Sequence, residues 1–320
     1  MNEFGMAFDL NLRALEIADD MAARTEELRA SVTTAENGAR IIDCGVKTPG
    51  SLDAGVLLAE VCLAALGRVG LAYGRADLWS GPAVTVATDQ PVAACMASQY
   101  AGWQITGEKF FAMGSGPMRA AGSREPLFDK IGHRARPQRV VGVLETRKLP
   151  PAAVCGQIAA DCGVSPDRLT LLVAPTASIA GTIQIVARSV ETALHKMHEI
   201  GFDLQQIVSG YGVAPLPPVA ADDLVGIGRT NDSILYGGEV TLWVNGDDEQ
   251  IAALGPKIPS SSSSDYGEPF AALFERYGRD FYKIDPLLFS PAAVMLVNLR
   301  SGRCHCFGQT NAAVLQRSFK

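Results

Sequence analysis

The sequence predicts an α/β (α+β) protein of two domains. A larger mixed α/β domain spans residues 1–136 plus 221–320, and a smaller α+β sandwich over residues 137–220 is inserted into it, with a ligand pocket between the two. Three observations carry this expectation. Strand-like and helix-like segments alternate along the chain. A stretch dense in Gly, Pro, Ser and Arg, residues 114–137, precedes the expected insert, and the breaker Pro215-Leu216-Pro217-Pro218 follows it. With 320 residues, 48% of them hydrophobic, the chain can bury a large core.

The elements follow in order. Leu12, Leu15, Ile17, Met21 and Leu28 form the apolar stripe of a helix over 10–29. Asn37-Gly38 turns tightly into an extended segment, 39–44. Residues 52–66 form a very apolar helix, so both of its sides are expected to be covered. Residues 70–74 and 83–87 read as strands, 92–99 as a helix, and 103–106 and 109–113 as extended segments running into a glycine loop. In the insert, 140–144, 169–173 and 207–213 read as strands. Pro150-Pro151 opens a helix through Cys162, and a second helix, 187–200, ends at Gly201. Beyond it come a strand at 239–245, a loop of five serines (260–264) expected to be flexible, a short helix at 268–277, and a hairpin, 292–299 with 303–307, turning at Ser301-Gly302.

A net charge of −6 argues against a nucleic-acid surface, which needs clustered Lys and Arg. No apolar run is long enough to span a membrane. The N-terminal residues carry Glu3, Asp9, Glu16, Asp19 and Asp20, unlike a secretory signal, so a cytoplasmic location is expected. Seven cysteines show no disulfide-like framework and read as reduced, mostly buried thiols. Cys304-His305-Cys306 invites a metal reading. On a strand, however, its two thiols would share one face and His305 the other, with no second Cys/His pair at zinc-like spacing, so no metal is expected.

Three polar segments stand out. Gly228-Arg229-Thr230-Asn231-Asp232-Ser233-Ile234-Leu235-Tyr236-Gly237-Gly238 sets donors and acceptors among glycines, which suits ligand contact or, more plainly, a polar turn. Gly114-Ser115-Gly116-Pro117-Met118-Arg119 follows a strand and suits either an anion nest or an ordinary turn, with Lys109 upstream as a further anion contact. It lacks the Gly-Lys-Ser/Thr of a Walker loop and the third glycine of a dinucleotide fingerprint. On the helix at 187–200, Arg188, Glu191, His195 and His198 fall within roughly 80° of arc, opposite Val190, Ala193, Leu194 and Met197. Arg188 and Glu191 are three apart and can pair; an ordinary solvated helix face fits the same pattern.

These runs, with Glu36-Asn37-Gly38, Ile42-Asp43-Cys44-Gly45, Ala97-Ser98-Gln99, Ala101-Gly102-Trp103, Phe111-Ala112-Met113-Gly114-Ser115-Gly116-Pro117 and Arg188-Ser189-Val190-Glu191, resemble the methenyltetrahydromethanopterin cyclohydrolase family, and its bacterial, methylotroph-type members in particular. The resemblance implies hydrolysis of the cyclic amidinium of 5,10-methenyl-tetrahydromethanopterin, or its dephospho form, to the 5-formyl product in one-carbon and formaldehyde metabolism. It implies catalytic roles for Glu191 and Arg188. It also implies substrate contacts from Gly114, Ser115, Gly116, Arg119, Lys109, Tyr100, Arg229, Thr230, Asn231, Asp232 and Tyr236. Tyr236 suits ring stacking and core packing alike. His195 and His198 gain no role from it and are read as surface residues. Tyr100 stands where many archaeal members have lysine, so whatever that lysine does is lost or reassigned here.

The expected chemistry needs no tightly bound cofactor; the tetrahydromethanopterin derivative is a carrier substrate whose cation activates itself. Glu191 is the expected base. Burial would raise its pKa and Arg188 would oppose the rise, and sequence leaves the balance open. The resemblance further implies a homotrimer. Two alternatives remain open at this point: a cyclohydrolase acting on another pterin such as a folate, and a non-catalytic pterin-binding protein.

Overall fold

A computed structural model describes residues 8–100, 102–122, 125–280 and 283–320. The chain begins with α1 (Leu10–Ala23) and α2 (Thr25–Leu28), then β1 (Ser31–Thr34), β2 (Arg40–Asp43), α3 (Leu52–Cys62), β3 (Gly67–Tyr73) and β4 (Pro82–Thr88). A π-helix, Val92–Gln99, leads to β5 (Trp103–Gly107), β6 (Phe110–Ser115), α4 (Met118–Gly122) and α5 (Leu127–Ile131). Next come β7 (Val140–Glu145), α6 (Ala152–Asp161), β8 (Leu169–Ala174), α7 (Ile179–Val186), α8 (Ser189–Glu199) and β9 (Ile207–Pro215). The chain closes with α9 (Asp223–Gly237), β10 (Glu239–Val244), α10 (Asp248–Leu254), α11 (Phe270–Arg276), β11 (Ala293–Asn298), β12 (Cys304–Gly308) and α12 (Ala312–Phe319).

The strands form two six-stranded mixed sheets, ordered β1-β2-β8-β7-β6-β5 and β12-β11-β10-β9-β4-β3. In the first, β2, β8 and β7 run parallel and the outer pairs are antiparallel. Its central strands carry apolar residues on both faces because both are covered. On one side Ile42, Val141, Val143 and Leu172 pack against α1 and α3; on the other Ile41, Val140, Leu144 and Leu171 pack against α6. In the second sheet β10 and β11 are parallel and every other pair is antiparallel. The buried face of that sheet (Val84, Val86, Val240, Leu242, Val294 and Leu296) packs on the π-helix and on Val190, Ala193, Leu194 and Met197 of α8.

The mixed α/β class stands, with several corrections to local expectations. The segment expected as an insert, 137–220, is divided between the sheets: β7 and β8 lie in the first and β9 in the second, each paired with strands from outside it. The stretch 114–137, dense in Gly, Pro, Ser and Arg, also holds α4 and α5. The helix expected at 187–200 is α8, which starts at Ser189; a further helix that the sequence reading did not expect, α7, precedes it and is separated from it at Ala187–Arg188. The serine run is ordered. Ser260 is fully buried and donates to the Leu235 carbonyl (2.5 Å), and Ser263 donates to Asp285 (2.6 Å).

The glycine-flanked run at 228–238 is helix for most of its length, not a loop. Asp222 caps α9 by accepting from Val225 N (3.0 Å), and Leu235 and Tyr236 face a core shared with α11 and α12. Its glycines serve close packing: a Cβ on Gly228 would lie 2.9 Å from that of Ala271. Five of the seven cysteines are buried, as expected; Cys304 and Cys306 are exposed on β12, with His305 turned to the other face. Among the described residues no helix is long and apolar enough to cross a membrane.

Gly181, in the first turn of α7, sets how closely that helix approaches the end of β8. A Cβ there would fall 1.9 Å from the Pro175 carbonyl oxygen, which belongs to backbone and cannot swing aside. Gly181→Ala is therefore expected to destabilise the protein by about 1–3 kcal/mol or more, read as a lowered urea midpoint with unchanged slope.

Candidate functional site

The π-helix ends where the two sheets meet. Its widened turn closes through Tyr100 N–H donating to the Cys95 carbonyl (2.9 Å), and this turn delivers Ser98, Gln99 and Tyr100 in succession. Ser98 Oγ donates to the Cys62 carbonyl at the end of α3 (2.6 Å), while its own carbonyl accepts from Gly116 N (2.9 Å). Gln99 Nε2 donates to the Ala187 carbonyl (3.0 Å). The segment is thus strapped to α3, to the end of β6 and to the break between α7 and α8.

Arg188 occupies that break, as the residue immediately preceding α8. The residue is 6% exposed, and its guanidinium makes three hydrogen bonds: Nη1 to the Gln99 carbonyl (2.6 Å), and Nη2 to Ser115 Oγ (3.1 Å) and Gln184 Oε1 (3.0 Å). One cation therefore joins the π-helix, the first sheet and α7 at the root of α8. Glu191 follows in the first turn of α8, 4% exposed. The direct Arg188–Glu191 pairing expected from their spacing is not made, because the three acceptors engage the guanidinium elsewhere. Its influence is through space. Burial pushes the Glu191 carboxyl up to about 7, against the downward pull of Arg188 and Arg119.

The surroundings of Arg188 and Glu191 are aromatic and cationic. Arg119, 1% exposed, sits 4.6 Å from the Tyr100 ring centroid and 5.2 Å from that of Phe128, and its Nη2 lies 3.0 Å from Glu125. The Tyr100 ring stacks on His195 with centroids 4.9 Å apart and planes at 16°. His195 is thus half-buried, not the surface residue expected. Behind Arg188, Glu145 at the end of β7 accepts from Thr176; burial raises its pKa first, and Thr176 and Arg188 oppose the rise.

The structure brings together Arg188, Glu191, Ser115, Arg119 and Tyr100, drawn from three separate stretches of chain. Gly114 and Gly116 flank Ser115 and let the backbone pass closely: a Cβ on Gly114 would lie 2.7 Å from Met118 Cε, and Gly116 adopts φ +83°. The Gly116 amide, a proposed anion contact, is taken by Ser98. Lys109 lies at the other end of β6, about 20 Å from Ser115 along the strand, exposed, with its carbonyl accepting from Lys148.

The side chains of α9 bond internally. Arg229 donates to the Ser318 and Pro218 carbonyls, Thr230 to Gly226, and Asn231 to Ile227. Asp232 accepts from Phe270 N, and Tyr236, fully buried, donates to the Glu268 carbonyl. Tyr236 is core, the plainer of its two readings. Sequence reasoning assigned no role to Gln99, Gln184 and Glu145. Gln99 lay inside a run already singled out, and Gln184 stands four residues before Arg188; neither carries a charge to flag it.

Among the described residues no group of three or more His, Cys, Asp or Glu side chains could hold a metal ion. A separate concavity of about 630 Å³ is lined by Ser261, Tyr266 and residues 308–312. It lacks any charged side chain in its lining and is not the site described above.

Comparison with known proteins gives a consistent picture. A family model described as Cyclohydrolase (MCH) matches residues 9–319. The chain is 47% identical over 293 residues, 91% of its length and 89% of the relative's, to a methenyltetrahydromethanopterin cyclohydrolase of Methylobacillus flagellatus. It is 48% identical over 288 residues (88% and 86%) to one of Rhodopirellula baltica. It is 42% identical over 314 residues (97% and 98%) to one of Methanococcoides burtonii.

The Glu191 environment has a consequence for stability. Its folded pKa of about 7 lies above the unfolded value, so its contribution is complete at acidic pH and is lost as pH rises through about 7. Relative to Glu191→Gln, the wild-type protein should lose about 1–3 kcal/mol between about pH 5 and about pH 8. Urea unfolding of both proteins at the two pH values measures the difference.

Proposed function

The chain belongs to the cyclohydrolase (MCH) family, and on that premise we propose that it opens the methenyl bridge of 5,10-methenyl-tetrahydromethanopterin, or its dephospho form, with Glu191 as the base. The observation that carries this reading is a buried carboxyl with a pKa of about 7 beside an immobilised guanidinium.

The substrate is a cation with its positive charge shared between two nitrogens and the carbon between them. A water oxygen bonds to that carbon while Glu191 takes a proton from the water, which leaves a neutral carbinolamine. The C–N bond to one ring nitrogen then breaks, that nitrogen gains a proton, the carbinol oxygen loses one, and the formyl group forms. A base with a pKa near the working pH serves both the first deprotonation and the later exchange. The three bonds to Arg188 hold its charge at a fixed distance from Glu191. The charge keeps burial from raising the carboxyl further, and the fixed donor array gives the attacking water and the developing carbonyl oxygen a preorganised polar environment.

Tyr100 and Arg119 are the proposed substrate contacts beside Glu191, and the contacts expected of Ser115, Gly114, Gly116, Lys109, Arg229, Thr230, Asn231 and Asp232 are proposals for a liganded state. The pterin serves as a carrier substrate. A homotrimer and a cytoplasmic location complete the reading. Self-association is supported by Tyr211 and Met295, 40% and 38% exposed, which flank Thr241 in register on the outward face of the second sheet.

Ring opening removes the ultraviolet absorbance of the amidinium, so turnover is read directly. Wild-type protein should open the methanopterin substrate, with kcat/KM rising through about pH 7 as Glu191 ionises. Glu191→Gln should keep the fold and lose about 10²–10⁴ in kcat. A Gln variant with wild-type turnover removes Glu191 from the reaction. Faster opening of methenyl-tetrahydrofolate moves the substrate to the folates, and tight binding without hydrolysis reduces the protein to a carrier.

A further inference from the structure

Resting on the cyclohydrolase reading, a proton balance raises a question that the groups around the bridging carbon do not answer. A cation and water enter; a neutral formyl product leaves. One proton per turnover is therefore left over, and it resides on Glu191, a side chain 4% exposed. It must leave before the next water can be activated.

We propose that His195 relays this proton from Glu191 to solvent. His195 stands one helical turn beyond Glu191 on α8, on the same face, at the i,i+4 spacing that brings side chains together. Exposure rises along that face. Glu191 is 4% exposed, the His195 side chain 20%, and the Glu199 side chain, one turn further, 44%. His195 Nε2 lies 3.9 Å from Glu199 Oε1, an acid at the surface one turn further along α8. The imidazole plane is fixed by stacking on Tyr100 at 4.9 Å.

The electrostatics fit an acceptor. Burial lowers the His195 pKa below its ordinary value; Glu199 opposes this, and His198, Arg119 and Lys196 add to it. The neutral form of the ring is therefore favoured, so a proton taken from Glu191 is held only briefly before it passes on. Other neighbours of Glu191 do not suit the task. Burial pushes the Tyr100 phenol up to about 12 and the Cys95 thiol well above its ordinary value. Arg188 and Arg119 remain cations. Lys196, on the same helix, is bound to Ser262 and the Leu287 carbonyl.

The relay is balanced: the Glu191 O–H bond breaks as an N–H bond forms on one imidazole nitrogen, and the proton then passes to Glu199 or to bulk water. No electrons move. The proton on the carboxyl reaches the ring directly or across one intervening water.

The test uses the full chain at saturating substrate, with buffer concentration varied at fixed pH and ionic strength. His195→Phe keeps a ring to stack on Tyr100 and removes the nitrogens; His195→Gln is the second variant, and circular dichroism checks both folds. Wild-type kcat should be independent of buffer. In the variants it should fall by about tenfold or more at low buffer, with KM unchanged, and should recover as imidazole is added. A packing role alone would not produce rescue by a small buffer. Variants whose kcat matches wild type at low buffer, or falls without rescue, overturn the relay. Ring opening by the wild type is scored separately, so failure of the substrate assignment is distinguishable from failure of the relay.

Discussion

The Arg188 guanidinium is the constraint on which the site depends. It sits where α7 gives way to α8, and its three hydrogen bonds reach the π-helix through Gln99, the first sheet through Ser115 and α7 through Gln184. A buried cation is costly unless its donors are engaged, and removing one partner of such an arrangement is typically more damaging than never having built it. The chain resolves this by ending a strand, a π-helix and an α-helix at one point. Glu191 then falls in the first turn of α8, close enough to feel the charge and too far to be neutralised by a contact pair. Burial and the guanidinium pull its pKa in opposite directions, and burial wins by enough to leave the carboxyl titrating near neutrality.

The fold around this point is organised to fix it. The buried face of the second sheet carries α8 and the π-helix, while the first sheet is enclosed between α1 with α3 and α6. At the crossing, Gly210 and Gly212 of β9 let the strand lie against α8, where a Cβ would meet Val190 Cγ1 at 2.8 Å and Ser189 Oγ at 2.4 Å. Close packing of this kind leaves Arg188 and Glu191 few alternative positions. The C-terminal helices form a separate apolar cluster around Tyr236 and Phe270, into which the polar side chains of α9 are tied by bonds to nearby backbone.

How much of this was legible in the sequence depends on what each feature encodes locally. Most strands were readable because runs such as 140–144 and 169–173 are apolar and β-branched, and Asn37-Gly38 marked its hairpin through a glycine at φ +93°. The helix α7 was missed because Ile179–Val186 is only eight residues long and buried on nearly all sides, and a short apolar run of that length reads equally as a buried strand. The run at 228–238 was misjudged because its glycines looked like loop residues when they are contact points between helices. The distribution of strands between sheets depends on pairings such as Gly114 with Leu144, which no local pattern states. At the candidate site, Arg188 and Glu191 were singled out from their spacing and the family likeness. Their partners Gln99 and Gln184 were not, since a neutral amide shows its purpose only once the fold has set it against a cation.

The balance between burial and Arg188 is open to one direct measurement: the pH dependence of kcat/KM for the wild-type protein and for Arg188→Gln. If the guanidinium holds the Glu191 carboxyl near 7 against burial, its removal shifts the ascending limb of the profile to higher pH, along with any loss in rate. A limb that stays in place when the cation is gone would contradict the account.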